Sequence, residues 1–454
     1  WFRPGQPFAL VVTDVRPGAT LTIDAGTSGV VGFPARAIAA LPAGEYLAQA
    51  VVRVSPDSAL PGQGEGDLYS EPVRVRWAPG GADGGDGAAA GAPASQSTAA
   101  PTLSLSRAAR GRPFNQTERV REFTVVSPLL SEFHGREVTL RAGVVLPEGW
   151  TDDAAKKWPV VYAVTGFGST HHFAFAVPQF MGSGVQGSEV QSIVVVPDAM
   201  NVQGHSVFAD SANTGPWGRA LIEELIPAVE AKFHGAQDAR HRYVTGVSSG
   251  GWSSLWLQIT YPEHFNGCFS HVPDPVDFRD FQRIDLYAPG ANMYRDEKGE
   301  RRPLARRPDD TPMIWYDDFV AMETVMGPGG QIHSFEAVFS PRGADGRPRP
   351  LFDRATGAVD PETAKAWEAY DIRLVLERNW STLGPRLAGK VHVYAGGKDT
   401  FLLDGAARLL KESLQKLGSD AVVEIVESMG HSQYPGGVQA MWQKVERDWR
   451  AREQ

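Results

Sequence analysis

Residues 1–78 alternate apolar and polar positions with the period of two that is typical of a half-buried β-strand. The alternation is clearest in "FALVVTDV", "TLTIDA", "GEYLAQAVVRV" and "EPVRVRW". Turn signals such as "RPGQP" and "LPAG" separate these segments at intervals of about ten residues. Short strands at such a spacing are typical of a small sandwich. The pattern therefore predicts an Ig-like β-sandwich domain over residues 1–78.

Residues 79–101, "PGGADGGDGAAAGAPASQSTAAP", consist almost entirely of Gly, Ala, Pro, Ser and Asp. A segment of this composition has no large apolar side chains to bury, so burial cannot offset the entropy lost when the segment becomes ordered. We therefore expect a flexible linker here, and a domain boundary.

The hydrophobic pattern changes from residue 102 onward. "VREFTVVSPLL" and "EVTLRAGVVLP" predict an opening antiparallel pair, and "WPVVYAVTGF", "QSIVVVPDAM", "RYVTGVSS", "KVHVYAGGKD" and "AVVEIVES" predict further buried strands. Helical patterns with apolar residues three or four positions apart lie between them, as in "GRALIEELIPAVEAKF" and "DGAARLLKESLQKLG". This alternation predicts an α/β domain over residues 102–454, with a mostly parallel, doubly wound sheet covered by helices on both faces.

Residues 277–380 interrupt the alternation of strands and helices. They contain "DEKGERR", "GPGG" and "SPRGADGRPRP", with many aromatic residues between these segments. We predict a long insertion over the carboxyl-terminal edge of the sheet, which is where ligands bind in folds of this class.

Composition narrows the picture further. The chain has 454 residues, a length that favours two domains, and its net charge of −9 argues against nucleic acid as a partner. It has no run of about 18 apolar residues, so no membrane span is expected. Cys268 is the only cysteine and lies in an apolar run. It is therefore predicted to be a buried core residue, and no internal disulfide can form.

The chain begins at Trp1 with strand-like residues and without a signal-peptide pattern. We therefore expect a mature or truncated form of a secreted or periplasmic protein. The sequence indicates no oligomeric state.

The stretch "RYVTGVSSGGWSSLW", residues 242–256, predicts a buried strand, a G-x-S-x-G turn and an apolar helix. In such a turn the serine is strained and its neighbours two positions away must be small, because the helix approaches the strand closely. Ser248 is therefore the predicted nucleophile. The rival serines, Ser249 and Ser253, fall on the wrong side of the turn. The alternative without catalysis is a Gly/Ser loop that caps the helix.

A serine hydroxyl becomes reactive only when a base takes its proton. In proteins with this turn the acid and then the histidine follow in chain order, each after a strand. His431, just past the final strand in "ESMGHSQYPGG", is the predicted base, and Asp399, at the end of the preceding strand, is the predicted acid. Two rival acids are Asp404, expected to cap the next helix, and Asp274, which follows the strand after the nucleophile helix.

The reaction also needs donors for a developing oxyanion. The Gly-rich turn "TGFG" ends the first long buried strand, and the N–H groups of Phe167 and Ser249 are the predicted donors. His171 and His172 are adjacent and no third ligand has a suitable spacing, so neither a metal nor another cofactor is predicted.

Residues 120–445 resemble the esterase D-like branch of the α/β-hydrolases. This branch includes S-formylglutathione hydrolases, feruloyl and acetylxylan esterases, enterochelin esterases and mycolyltransferases. "GGKDTFLLDG" is close to the acid loop of the S-formylglutathione hydrolases, and "GHSQY" resembles their His turn. The resemblance implies an α/β-hydrolase fold with Ser248 as nucleophile, Asp399 as acid, His431 as base and an oxyanion donor at Phe167.

Five residues are candidates for the substrate site because aromatic walls suit aryl or sugar esters. They are Trp217, Trp252, Phe173, His205 and Trp315. The alternative for each of them is packing in the core or in the lid.

The leading functional hypothesis is a serine ester hydrolase acting through an acyl-enzyme. Its expected substrates are carbohydrate-linked or phenolic esters, including feruloyl and acetyl esters of plant polysaccharides, and other small-acyl esters. An acyltransferase of the mycolyltransferase type would use the same triad. A catalytically silent polymer-binding protein is the alternative from another class.

Overall fold

The computed structural model of the protein describes residues 5–13, 16–78, 101–184 and 188–453. An eight-stranded sheet forms its centre. The strands, in chain order, are β1 (Val120–Val126), β2 (Thr139–Val145), β3 (Val160–Val164), β4 (Ile193–Pro197), β5 (Arg242–Val247), β6 (Cys268–His271), β7 (Val391–Gly396) and β8 (Val422–Val426). Across the sheet their order is β1-β2-β4-β3-β5-β6-β7-β8.

Most of this sheet is parallel. Across the sheet from β4 through β3 to β8 each strand runs parallel to the next, whereas β2 is antiparallel to both β1 and β4. Alternate residues of β3 belong to two separate clusters of buried side chains, as expected for a strand that is covered on both faces. The predicted mostly parallel α/β sheet is confirmed, and the strand order is that of the α/β-hydrolase fold.

Nine helices of the described residues are used as landmarks below. They are α1 (Pro128–His134), α2 (Ile226–Phe233), α3 (Ser249–Thr260), α4 (Tyr316–Met326), α5 (Gln331–Phe339), α6 (Pro361–Trp367), α7 (Ile372–Leu387), α8 (Asp404–Lys416) and α9 (Pro435–Arg450). Two short helical segments, Trp217–Ala220 and the π-helical Leu221–Leu225, run directly into α2. No helix of the described residues is long and apolar enough to cross a membrane.

The position of the site follows from the strand order. The chain passes from β3 to β4 on one side, and then returns to β5 on the other side of β3. The carboxyl ends of β3 and β5 therefore meet at a switch point, where α/β sheets form their ligand crevices.

The segment before the predicted linker forms small ladders. Phe8–Ala9 pairs with Val31–Gly32, Gly44–Ala48 pairs with Val73–Trp77, and Val51–Val52, Leu68–Tyr69 and Arg107–Ala108 form a three-stranded sheet. Within the described residues up to 78, Ala59 is the only apolar side chain of the buried core. The predicted Ig-like sandwich is not confirmed, because these short ladders do not enclose a hydrophobic core of their own.

This segment instead contacts the α/β region directly. Arg53 donates hydrogen bonds to the carbonyl oxygens of Val202 and Pro328, and Arg136 pairs with Asp57 at 2.6 Å. The strand Arg107–Ala108 lies beyond the predicted linker, yet it pairs with a strand that precedes it. Of the predicted linker itself, only residue 101 lies within the described part of the chain.

The predicted insertion at 277–380 contains α4, α5, α6, the start of α7 and a hairpin formed by Pro303–Arg306 and Pro312–Trp315. Its helix α5 packs over the helix that follows β5, where the rings of Phe339 and Trp252 lie 5.1 Å apart. The insertion therefore covers one side of the crevice at the carboxyl end of the sheet.

Candidate active site

Ser248 occupies a strained turn between β5 and α3. Its φ of 59° and ψ of −122° lie in a region that residues with a side chain rarely adopt. A Cβ atom at Gly246 would lie 2.1 Å from the carbonyl oxygen of Gly250, and one at Gly250 would lie 2.0 Å from that of Val164. Both glycines are therefore required by the close approach of α3 to the sheet, as the G-x-S-x-G spacing predicts.

Backbone hydrogen bonds hold this turn in place. The N–H of Ser248 donates to the carbonyl oxygen of His271 at 3.0 Å, and the carbonyl oxygen of Ser248 accepts from the N–H of Trp252 at 2.9 Å and that of Asp274 at 3.2 Å. The main chain of Ser248 is thus anchored to β6 and α3. Its side chain is left at the mouth of the crevice.

His431 and Asp399 meet at the carboxyl end of β7. Nδ1 of His431 lies 2.8 Å from Oδ2 of Asp399, which is completely buried. The other oxygen of Asp399 accepts the N–H groups of Phe401 at 2.8 Å and Leu403 at 3.4 Å. Because a carboxylate only accepts hydrogen bonds, the proton of a neutral His431 is assigned to Nδ1, which leaves Nε2 able to act as a base.

The two rival acids have other partners. Asp404 begins α8 and forms ion pairs with Arg283 at 2.7 Å and Arg306 at 3.1 Å. Asp274 is buried and lies 3.3 Å from Oγ of Ser248. Burial raises the pKa of Asp274 to about 6. Of the three carboxylates, only Asp399 is hydrogen-bonded to His431.

The turn after β3 lies beside the nucleophile. The N–H of Ser169 donates to the carbonyl oxygen of Gly166 at 3.2 Å, and a Cβ atom on Gly166 would lie 3.4 Å from Cβ of Ser248. Phe167 therefore follows a residue that lies beside Ser248, and Ser249 opens α3 directly after Ser248. Both predicted oxyanion donors thus lie next to Ser248 in the fold.

Comparison with known proteins identifies the family of this chain. Residues 131–412, which are more than half of the chain, match the sequence model of the family described as "Putative esterase". The chain belongs to this family. Membership confirms, at the level of the family, the predicted class of carboxylic ester hydrolases.

Individual relatives are more distant. The esterase Rv1288 of Mycobacterium tuberculosis (strain ATCC 25618 / H37Rv) is 29% identical over 150 residues, which are 32% of this chain and 31% of that protein. This chain therefore matches about a third of the length of that curated relative.

Many solved structures are similar to this chain, among them an esterase and a hydrolase. A ferulic acid esterase has a TM-score of 0.43 and 15% identity, over 73% of this chain and 98% of that one. An S-formylglutathione hydrolase from Agrobacterium tumefaciens has a TM-score of 0.41 and 16% identity, over 74% of this chain and 97% of that one.

His205 has a different place from the predicted one. It is 1% exposed, its Nε2 lies 3.0 Å from the carbonyl oxygen of Thr165, and its Nδ1 accepts the N–H of Val207 at 3.0 Å. Burial lowers the pKa of His205 to about 4, so the ring is neutral. Both ring nitrogens are occupied by the backbone. The structure therefore assigns His205 to bracing the turn after β3 rather than to contacting substrate.

Of the predicted aromatic residues, two are buried and two are partly buried. Trp252 and Trp217 are 1% and 5% exposed, and Nε1 of Trp217 donates to the carbonyl oxygen of Thr214 at 2.9 Å. Side chains so deeply buried belong to the hydrophobic core and present no surface to a substrate. The guanidinium carbon of Arg301 lies 4.9 Å from the ring centre of Trp315, and the ring centres of Phe173 and Phe180 lie 5.6 Å apart. A substrate role for Trp315 and Phe173 stays a prediction.

The adjacent histidines His171 and His172 lie in a short helical segment after β3. His171 is buried and lies between Asp198 at 2.7 Å and Glu122 at 3.0 Å. No group of three or more His, Cys, Asp or Glu side chains suited to a metal ion occurs among the residues that the structure describes. Cys268 is buried as predicted, and burial raises the pKa of its thiol to about 12.

Two residues of the insertion reach the site, and the sequence did not single them out. Arg306 donates from Nε to the carbonyl oxygen of Asp399 at 3.0 Å and so supports the acid loop. Nε2 of Gln331 lies 3.3 Å from Oγ of Ser249 and 3.4 Å from Oδ2 of Asp274. Arg306 belongs to the basic cluster "RRPLARRPDD", but nothing in that pattern indicates a partner so far along the chain.

A buried carboxyl supports the helix that carries Gln331. The two oxygens of Glu323 accept the N–H of Ile332 at the start of α5, at 3.1 and 3.2 Å. A Cβ atom at Gly330 would lie 2.5 Å from Cδ of Glu323, so only glycine leaves room for this cap. Burial raises the pKa of Glu323 to about 8.

We expect Glu323→Gln to make the protein more stable at alkaline pH. In the parent, the carboxyl of Glu323 keeps its proton up to about pH 8 in the folded state but loses it near the ordinary pKa of 4.5 in the unfolded chain. The free energy of unfolding therefore falls as the pH rises between these two values. The glutamine cannot ionise, yet its oxygen still accepts from α5. Urea unfolding should show the variant to be more stable by about 4–5 kcal/mol at pH 8.5 and by less than about 1 kcal/mol at pH 5.

The exposed Glu362 provides the control for this experiment, because its side chain is 83% exposed. Glu362→Gln should change the free energy of unfolding by less than about 0.5 kcal/mol at both pH values. If the free energy of unfolding changed equally with pH in the two variants, Glu323 would not be the group that carries the buried proton.

Proposed function

We propose that this chain hydrolyses carboxylic esters through an acyl-enzyme on Ser248. His431 accepts the proton of the Ser248 hydroxyl as its oxygen attacks the ester carbonyl, and Asp399 stabilises the imidazolium that forms. The N–H groups of Phe167 and Ser249 hold the oxyanion of the tetrahedral intermediate. The alcohol leaves with a proton from His431, and water then releases the acid by the same route.

One observation carries this proposal. Nδ1 of His431 lies 2.8 Å from Oδ2 of Asp399, which leaves Nε2 able to accept a proton, and both residues follow strands whose carboxyl ends share the sheet edge of the strained Ser248 turn. Ser248 also contacts the carboxyl of Asp274 at 3.3 Å, and a positive charge on His431 favours the ionised form of that same carboxyl. Membership of the esterase family supports the same reaction class.

The surroundings of Ser248 favour small acyl groups. Asp274 and Gln331, which are polar, lie on one side of the nucleophile, and α5 covers that side. A long lipid chain would gain little there, because apolar surface is best buried against apolar side chains. We therefore propose short-chain acyl esters, including acetyl and phenolic esters of carbohydrates, as substrates.

Covalent trapping tests the proposal. A brief reaction with p-nitrophenyl acetate, quenched in acid, should leave an acetyl group on the peptide that contains Ser248, detected by mass spectrometry. Rates for p-nitrophenyl esters of increasing acyl length, methyl ferulate and acetylated xylan should then be highest for the short acyl groups. A label on another residue, or turnover confined to long acyl chains, would contradict the proposal.

The same assay separates the hydrolase from the two alternatives. An acyltransferase would move the acyl group to an added alcohol or sugar, which chromatography of the products reveals. A silent polymer-binding protein would show neither label nor turnover. We expect free acid to be the main product even when an alcohol is present.

A further inference from the structure

A second carboxylate lies beside the nucleophile and has no role in the proposed steps. Asp274, on the loop after β6, is 6% exposed, and its Oδ1 lies 3.3 Å from Oγ of Ser248. Its Oδ2 accepts hydrogen bonds from Oγ of Ser249 at 2.5 Å and Nε2 of Gln331 at 3.4 Å. All three donors are neutral groups.

The charge of Asp274 is not balanced by an arginine or a lysine. In the described part of the chain no such side chain pairs with it, and the titratable groups that act on it are His431, which favours its ionised form, and Asp399, which opposes it. Its pKa of about 6, raised by burial, leaves the group ionised at pH 7.5. An unpaired buried carboxylate lowers the stability of a fold, so its presence at a reactive site points to a role there.

The geometry puts this charge within reach of the substrate. In a reactive complex the carbonyl carbon lies about 3–3.5 Å from the attacking oxygen. Asp274 lies at a similar distance from that oxygen, so a group a few bonds from the carbonyl can approach its carboxylate. Gln331 is half-buried on the insertion and can bind the same group through its amide oxygen.

We propose that Asp274 binds a cationic nitrogen of the substrate close to the scissile ester, with Gln331 as a neutral second partner. This inference rests on the proposed esterase function and specifies its substrate class. A cation supplies the positive partner that the carboxylate of Asp274 lacks in the free protein. An acyl group that carries a carboxylate would be repelled. The cation can belong to the acyl part, as in an amino-acyl ester, or to the alcohol part, as in a choline ester.

Matched pairs of esters test the inference and identify the side of the ester that carries the cation. Alanine methyl ester is compared with methyl propionate for the acyl side, and propionylcholine with 3,3-dimethylbutyl propionate for the alcohol side. The Asp274→Asn variant should lower the ratio of kcat/KM for the cationic ester to that for its neutral partner by about tenfold or more in one of the pairs. Unchanged ratios in both pairs would overturn the inference.

Ser249→Ala is the matched control, because it removes a neutral donor to the same carboxylate and keeps the charge. Whatever its effect on the rate, this variant should keep the parent's cationic-to-neutral ratio within about threefold. An equal fall of the ratio in both variants would mean that the shape of the pocket, and not its charge, selects the substrate. That result would also overturn the inference.

A measurement on the unmodified protein does not depend on the folding of a variant. At pH 7.5 and constant ionic strength, n-propylammonium should inhibit the hydrolysis of p-nitrophenyl acetate competitively, with an inhibition constant at least about tenfold lower than that of n-propanol. Equal constants would contradict the inference. If the unmodified protein hydrolyses no ester at all, the proposed function fails, which is a different result from hydrolysis without a cationic preference.

Discussion

Ser248→Ala should lower kcat for p-nitrophenyl acetate by at least about four orders of magnitude. The side chain is placed on a strained turn that is held by hydrogen bonds to His271 and Trp252, and removal of its oxygen leaves this backbone intact. No other hydroxyl occupies the turn between β5 and α3. Steady-state rates, with circular dichroism melting curves to verify folding, provide the measurement.

Ser253→Ala is the control, because Ser253 is the rival serine of the sequence pattern. In the structure it is buried in α3 and donates to the carbonyl oxygen of Ser249 at 2.6 Å, so its oxygen cannot reach a substrate. We expect its kcat to stay within about threefold of the parent value. Retained activity in Ser248→Ala, or comparable losses in the two variants, would show that the nucleophile has been misidentified.

Asp399→Asn should lower kcat by about 10³–10⁴-fold. Oδ1 of Asp399 accepts the N–H groups of Phe401 and Leu403, so the amide oxygen of an asparagine will take that position and its NH₂ group will face His431. His431 must then accept at Nδ1 and carry its proton on Nε2, the wrong tautomer for a base. Rates of the variant between pH 6 and 9, compared with those of the parent, measure this effect.

Asp404→Asn tests whether this effect belongs to the charge at residue 399 or to any carboxylate of the same loop. Asp404 pairs with Arg283 and Arg306, so its loss should lower the free energy of unfolding by about 1–3 kcal/mol while kcat falls by less than tenfold. Asp274→Asn adds the second rival acid to the comparison. If Asp399→Asn kept measurable activity and Asp274→Asn lost at least as much activity as it did, Asp274 would be the acid of the triad.

The catalytic candidates were accessible from sequence because their signals are local. Glycines two positions either side of Ser248 report a backbone approach that forbids a Cβ atom, because such an atom would lie only 2.1 or 2.0 Å from a carbonyl oxygen. Asp399 and His431 each follow a recognisable strand, and carboxyl ends of parallel strands share one edge of a sheet. Chain order was therefore sufficient to predict a contact across 32 residues.

Other expectations depended on surroundings that a local pattern does not contain. An aromatic residue near the candidate nucleophile can face a substrate or fill the core. Trp252 is buried against Phe339 of α5, and Trp217 is buried against Phe208. The alternation in residues 1–78 indicates β structure. Whether it closes into a sandwich depends on how the segments pack, and here Arg53 binds it to the α/β region instead.

The sequence by itself determined the alternation of strands and helices, the strained turn at Ser248 and the chain order of the candidate nucleophile, acid and base. Each of these follows from steric rules and hydrophobic periods that act over a few residues. Only the tertiary structure decided that Asp274 and Gln331 meet at the nucleophile, that Arg306 supports the acid loop and that His205 braces the turn after β3. Burial and electrostatic interactions depend on distances between segments that are remote along the chain, and these distances exist only once the chain has folded.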